Sequence, residues 1–230
     1  MNRFFSIIIY LFAFLMFFFI APIVLLFVIV DSTRASYYII NFCKFMVSVF
    51  CCKIKVHGNF PTNKTFVIMA NHSSFLDVFV IPSVFQPNKK FSAVAASKNF
   101  NIPIYSLILK QMRVVSIDRS NREQAIKGIQ QAEKVLQDDY HIVILPEGTR
   151  TMSGELGKFK KGGFHLAINT KADILPIVVK GLTEIKPKHR WYIKPGMIDV
   201  FIGEPIQSHN KSVDELLVET ENIFKNLNKR

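Results

Sequence analysis

Three short runs of residues and one lone lysine carry groups able to do chemistry, and each closes an apolar stretch. The first is Asn71-His72-Ser73-Ser74-Phe75-Leu76-Asp77, directly after Phe66–Ala70. An imidazole and a carboxylate five positions apart would stand about 140° apart on one continuous helix and could not touch. With His72 just ahead of the first turn and Asp77 inside it, the carboxylate reaches Nδ1, fixes the tautomer and leaves Nε2 as a general base. From spacing alone, the favoured reading is His72 as a cap or core histidine and Asp77 as a surface acid. Ser73 or Ser74 is placed to cap the helix that begins here. No Gly-x-Ser-x-Gly accompanies the pair, so the hydroxyl that His72 would activate belongs to a substrate.

The second run is Leu145-Pro146-Glu147-Gly148-Thr149-Arg150. Gly148 permits a tight turn, and Arg150 offers a planar fork for a phosphate. Glu147 cannot bind an anion; it would orient Arg150 or hydrogen-bond a substrate hydroxyl. Downstream, Lys158-Phe159-Lys160-Lys161-Gly162-Gly163 opens into a helix, where backbone N–H groups approach anions. The third run, Val114 to Arg119, ends in Asp118-Arg119, and Arg119 would join Arg150 around one phosphate. Lys98, just after Phe91–Ala96, is a further cation at a strand end.

The elements that would hold these groups alternate strand and helix. Lys53–Val56, Phe66–Ala70, Phe91–Ala96, Val114–Ile117, Ile142–Leu145, Ile174–Val179 and Met197–Ile202 read as strands, several apolar throughout as in a sheet buried on both faces. Asn121–Gln137 reads as a helix, with Ser120 and Glu123 as a capping box and Ala125, Ile126, Ile129, Ala132, Val135 and Leu136 as one stripe. Ser212 and Glu215 open the last helix in the same way. The expected class is α/β: a mostly buried sheet flanked by helices, preceded by N-terminal membrane-associated helices.

The N-terminal part differs in kind. Phe4–Val30 is 27 residues without a charge, interrupted only by Pro22. That exceeds the roughly 20 residues that cross a bilayer core and the roughly 7–15 of a cleaved leader's apolar region. It predicts an uncleaved membrane helix, kinked at Pro22. Tyr37–Cys52 is apolar again around Lys44, which suggests an interfacial helix or the return limb of a re-entrant hairpin. The expected division is 1–52 as membrane-anchoring helices and 53–230 as the α/β domain.

Lysine and arginine number 29 against 17 acids, a balance of +12 that favours anionic partners. A basic stripe interleaved with aromatic residues, or any known nucleic-acid module, is lacking, so nucleic acid is not an expected partner. Cys43, Cys51 and Cys52 have no metal-ligand spacing and no disulfide framework.

Asn71-His72-x4-Asp77, Ile117-Asp118-Arg119, Pro146-Glu147-Gly148-Thr149-Arg150 and Leu175-Pro176-Ile177-Val178 stand in the order of four motifs of one family. Together they resemble the glycerolipid acyltransferases, specifically the 1-acyl-sn-glycerol-3-phosphate (lysophosphatidate) acyltransferases. The likeness runs from about Phe66 to Val179. It implies His72 as general base, Asp77 as its orienting acid, and Arg119, Glu147, Gly148, Thr149 and Arg150 as acceptor-binding residues. Lys98 and Lys160 match lysines that accompany these motifs, and Pro176 matches a position tied to the acyl donor or the pocket. Arg113, Ser116 and Asn99 depart from the family pattern around the second motif and the first lysine.

The resemblance further implies acyl transfer from acyl-CoA or acyl-carrier protein to the 2-hydroxyl of lysophosphatidate, giving phosphatidate. No cofactor or metal is expected, and membrane lipids are the expected partners. The expected location is a bacterial inner membrane, with the site on its cytoplasmic face. The competing readings are the same transfer to another lysolipid, and a non-catalytic membrane-anchored protein that binds anionic lipid.

Overall fold

The computed structural model describes residues 3–62, 64–118 and 120–229. Helix α1 (Arg3–Val30) runs unbroken through Pro22. A 3-10 turn at Ser32–Arg34 leads to α2 (Ala35–Val49). The remainder is β1 (Cys52–His57), β2 (Val67–Ala70), α3 (Asp77–Ser83), β3 (Phe91–Ala96), α4 (Tyr105–Gln111), β4 (Val115–Ile117), α5 (Arg122–Gln137) and β5 (His141–Ile144). It closes with α6 (Gly162–Thr170), β6 (Ile174–Lys180), α7 (Leu182–Ile185), β7 (Gly196–Ile202) and α8 (Val213–Lys229). All seven expected strands are present, displaced by at most one residue at either end.

The strands form one sheet in the order β1-β7-β6-β2-β5-β3-β4. From β6 to β4 the pairing is parallel; β7 runs antiparallel to β6 and parallel to β1. β2 sits in the middle, and Val67, Ile68, Met69 and Ala70 are all fully buried, as an apolar run with no polar alternation requires. One face of the sheet packs Ile68, Ala70, Ile177 and Val179 against α1, α2, α3 and α7. The other packs Met69, Ile144 and Val178 against α5, α6 and α8. After β2 the chain moves to one side through β3 and β4, returns to β5, then crosses to β6 on the other side. The crevice outside the carboxyl ends of β2, β5 and β6 is therefore a topological switch point, where open α/β sheets bind ligands.

Helix α1, at 28 residues, is about 42 Å long and is long and apolar enough to cross a membrane. A stripe including Ser6, Ile9, Ala13, Ala21 and Val28 is buried against the protein, while Phe4, Leu11, Phe14, Phe19, Leu26 and Val30 point outward. Helix α2 turns one apolar face to the protein and leaves Tyr37 and Phe45 exposed on the other. Its Ile40, Phe42, Cys43 and Met46 are buried in the same core as Phe66 and Ile68, and it packs on α3 and β1 with Lys44 exposed. The apolar core is thus continuous across residue 52.

Two local expectations change. Helix α5 is capped by Asn121, whose side chain accepts the Gln124 N–H at 3.1 Å. Ser120 lies one residue ahead of the N-cap position, and its N–H and hydroxyl donate back to Asp118 Oδ1. Ile126, assigned to the α5 stripe, is half exposed. The Ser212–Glu215 capping box forms as its spacing requires.

His141 opens β5 at the edge away from the switch point and is buried, with Nδ1 accepting the Phe66 N–H at 3.1 Å. Burial, then the charge of Lys89, pushes its pKa down to about 4. The unfolded chain therefore binds the extra proton first, and stability falls as pH drops from the ordinary histidine value of about 6.5 towards 4. His141 contributes about 3 kcal/mol to that loss. His141→Gln, which keeps an acceptor for Phe66, should flatten the fall of melting temperature across this window. An unchanged slope would contradict the assignment.

Candidate active site

His72 lies two residues beyond β2, and Asp77 is the first residue of α3. His72 Nδ1 stands 2.7 Å from Asp77 Oδ2. The same oxygen accepts the N–H groups of Ser73 and Ser74, each at 3.0 Å. The five-residue separation works because Asn71 to Leu76 are not helical: the chain curls around the carboxylate before α3 begins. Asp77 is 2% exposed, whereas the His72 side chain is 23% exposed. No described residue hydrogen-bonds Nε2, the nitrogen on the solvent side. Neither Ser73 nor Ser74 caps α3, which begins only after Leu76; the Ser74 hydroxyl instead donates to the Lys186 carbonyl and accepts the Leu76 N–H.

The departure of the chain from the sheet is set by Asn71. Its side-chain amide donates to the Val179 carbonyl at 2.9 Å and accepts the Val179 N–H at 2.7 Å. It satisfies the β6 backbone as a strand residue would and frees the main chain to turn at His72.

The run after β5 clamps that turn. Glu147, 6% exposed, accepts the His72 N–H on Oε1 at 2.7 Å and the Gly157 N–H on Oε2 at 2.8 Å. Thr151 N–H donates to the His72 carbonyl at 2.9 Å. Both backbone groups of His72 are therefore held by residues 147–151. Burial pushes the Glu147 carboxyl above its usual range, against the lowering effect of its two N–H donors. A Cβ on Gly157 would lie 2.9 Å from Glu147 Oε2, so this close backbone approach requires glycine. Gly148, at φ +75°, closes the tight turn with its N–H on the Leu145 carbonyl at 3.0 Å.

The cations are arranged along the same edge. Arg150 is half-buried, with no acid within ion-pair distance among the described residues, and its charge is felt at Lys186. Lys98, on the 3-10 turn Ser97–Asn101 after β3, is exposed. Thr149 is exposed; so is Lys160, whose N–H holds the Pro146 carbonyl at 2.8 Å. Pro176 is buried in mid-strand beside Met69, four residues before the end of β6, with its carbonyl accepting the Gly203 N–H. Arg119 lies outside the described residues. Sequence reasoning gives no role to Asn71, Gly157, Thr151 or Lys186. Their partners lie far away along the chain, and no local spacing announces them.

A family model described as Acyltransferase matches residues 53–180. The chain is also 31% identical over 201 residues to the 1-acyl-sn-glycerol-3-phosphate acyltransferase of Pseudomonas aeruginosa, covering 84% of this chain and 74% of that one. The chain belongs to the acyltransferase family. The acyltransferase of the same name from Saccharomyces cerevisiae is 34% identical over 158 residues, 66% of this chain and 51% of the yeast protein. The chain spans about half the length of several such relatives, as with the yeast one. The fold of this acyltransferase is similar to the crystal structure of the 1-acyl-sn-glycerophosphate acyltransferase PlsC from Thermotoga maritima. The TM-score is 0.86 at 23% identity, over 100% of this chain and 97% of the other.

Glu147→Gln would turn one acceptor oxygen into a donor facing a backbone N–H. Misplacing His72 by even 1 Å costs about 10²-fold. The expected result is a fall of that order in kcat, with KM for the acceptor changing far less. A rise in KM alone would show that Glu147 binds acceptor instead of placing His72.

Proposed function

We propose that the protein transfers a fatty acyl group from an acyl thioester, carried on coenzyme A or acyl-carrier protein, to the 2-hydroxyl of 1-acylglycerol-3-phosphate, producing phosphatidate. The observation that carries this reading is the hydrogen bond from His72 Nδ1 to buried Asp77 with Nε2 left open at the switch point. It is supported by the names of the relatives and by the cations at the same sheet edge.

The acceptor hydroxyl attacks the thioester carbonyl carbon, and its proton passes to His72 Nε2. Asp77 stabilises the imidazolium through Nδ1–H. The tetrahedral intermediate collapses, the C–S bond breaks, and the leaving thiolate takes the proton back from Nε2. No acyl-enzyme forms and no metal or cofactor enters these steps. Arg150 binds the acceptor phosphate as a bidentate fork, with Lys98, Lys160 and Arg119 adding positive potential around it. Gly148 and Thr149 shape the turn that presents Arg150. Glu147 serves binding indirectly, by fixing the loop to His72. Pro176 supports the floor of the sheet beneath the donor side.

Lysophosphatidate is a lipid, so a site served by a membrane is required. The outward face of α1 is apolar along its length. We place it in the hydrocarbon of a bacterial inner membrane, with the sheet domain on the cytoplasmic face. The basic balance of +12 draws the domain to anionic headgroups.

The test is acyl transfer from radiolabelled oleoyl- and palmitoyl-CoA, and from acyl-carrier protein, to lysophosphatidate in membranes holding the wild type or His72→Ala. Phosphatidate from the wild type and a loss of at least about 10²-fold in the variant are expected. Product from both in equal amount would remove His72 from the mechanism. No product from either with any donor would favour another lysolipid acceptor. Arg150→Ala is expected to raise KM for lysophosphatidate roughly 10–100-fold, the worth of a charge-assisted hydrogen bond, with kcat little changed.

A further inference from the structure

Lys186, the residue after α7, is only 8% exposed although it is a lysine. Its ammonium donates to the carbonyls of Pro187, at 3.2 Å, and Arg190. It lies 5.6 Å from the centre of the Phe75 ring. No carboxylate is within ion-pair distance of it among the described residues. Burial, then the charges of Arg150 and Arg190, holds its pKa below the usual lysine value. A buried cation without an anion is retained at a cost. Here it closes the Lys186–Arg190 turn.

The backbone of that turn touches the catalytic pair through one residue. The Lys186 carbonyl accepts the Ser74 hydroxyl at 2.7 Å, and Ser74 is fully buried. Ser74 Oγ accepts the Leu76 N–H at 3.3 Å, and the Ser74 N–H donates to Asp77 Oδ2. If the Lys186 carbonyl moves, a buried hydroxyl loses its acceptor, and Ser74 shifts with Asp77 and His72.

The far end of the same segment is tied to α1. Ser6 Oγ accepts the Ile193 N–H and donates to the Ile193 carbonyl, both at 3.1 Å. The Tyr10 hydroxyl donates to the Trp191 carbonyl at 2.6 Å.

We propose that Lys186 is a positioning residue for the His72–Asp77 pair, the fixed point of a strap over residues 186–193 that ties α1 to Ser74. The seating of α1 then sets the orientation of the imidazole. The proposal rests on the acyltransfer reading for its kinetic readout. It differs from a direct role of Lys186 on the acceptor phosphate, which would act through KM.

The experiment uses the full chain in phosphatidylethanolamine–phosphatidylglycerol vesicles, with Lys186→Met, Ser74→Ala, the double variant and Tyr10→Phe. Expected is a fall in kcat of about tenfold for each of the first two, the net worth of one hydrogen bond, with KM for lysophosphatidate nearly constant. The His72 titration midpoint, followed by NMR, moves in the same direction in both. The double variant is no worse than the worse single variant, as for residues acting in series. Tyr10→Phe gives a smaller change of the same kind.

Additive losses, a KM effect without a kcat effect in Lys186→Met, or wild-type kcat and titration in Ser74→Ala would each overturn the proposal. Should Lys186→Met fail to fold, Ser74→Ala and Tyr10→Phe decide it by the same criteria. An inactive wild type would defeat the acyltransfer reading alone. The His72 midpoint would then still decide the strap: moved in the variants, it stands; unmoved, it falls.

Discussion

Oδ2 of Asp77 takes three donors at once: the imidazole Nδ1 of His72 and the backbone N–H groups of Ser73 and Ser74. A carboxylate 2% exposed would be expensive to bury without such partners. Satisfying them forces residues 72–76 into a loop and delays the start of α3 until Asp77 itself. One oxygen therefore decides where the helix begins, which nitrogen of His72 is engaged and which is left open.

This loop sits on a rigid base. Asn71 ties the end of β2 to Val179 of β6, while Glu147 and Thr151, beyond β5, hold the N–H and carbonyl of His72. The three central strands thus each contribute to fixing one residue. The Pro146–Arg150 run has two jobs carried by different members. Glu147 faces inward to the backbone of His72, while half-buried Arg150 keeps its guanidinium for the open edge.

The strands are legible in the sequence because a sheet buried on both faces demands apolar runs of four to seven residues, and Val67–Ala70 or Ile174–Val179 can be little else. The His72–Asp77 contact is legible as a conditional: it needs a non-helical lead-in, which Asp77 creates. Glu147 is not legible as a clamp. Its partner is the main chain of a residue 75 positions away, brought near only by the pairing of β2 with β5. The partners of helix α2 are hidden for a related reason. One face of this apolar, aromatic 15-residue helix meets α3 and β1 while Tyr37 and Phe45 stay exposed, and only the tertiary contacts tell which residues lie on which face. Ser120 misleads locally, since the helix begins one residue later than its pairing with Glu123 requires.

The tautomer of His72 is the most direct test of the central claim, read from the nitrogen shifts of 15N-histidine-labelled protein in vesicles above the imidazole titration. Donation from Nδ1 to Asp77 requires a protonated Nδ1 and a bare Nε2 in the neutral ring, and loss of that preference in Asp77→Asn. A neutral ring protonated at Nε2 in the wild type would contradict the base assignment, because the open nitrogen would then have no lone pair with which to take the acceptor's proton.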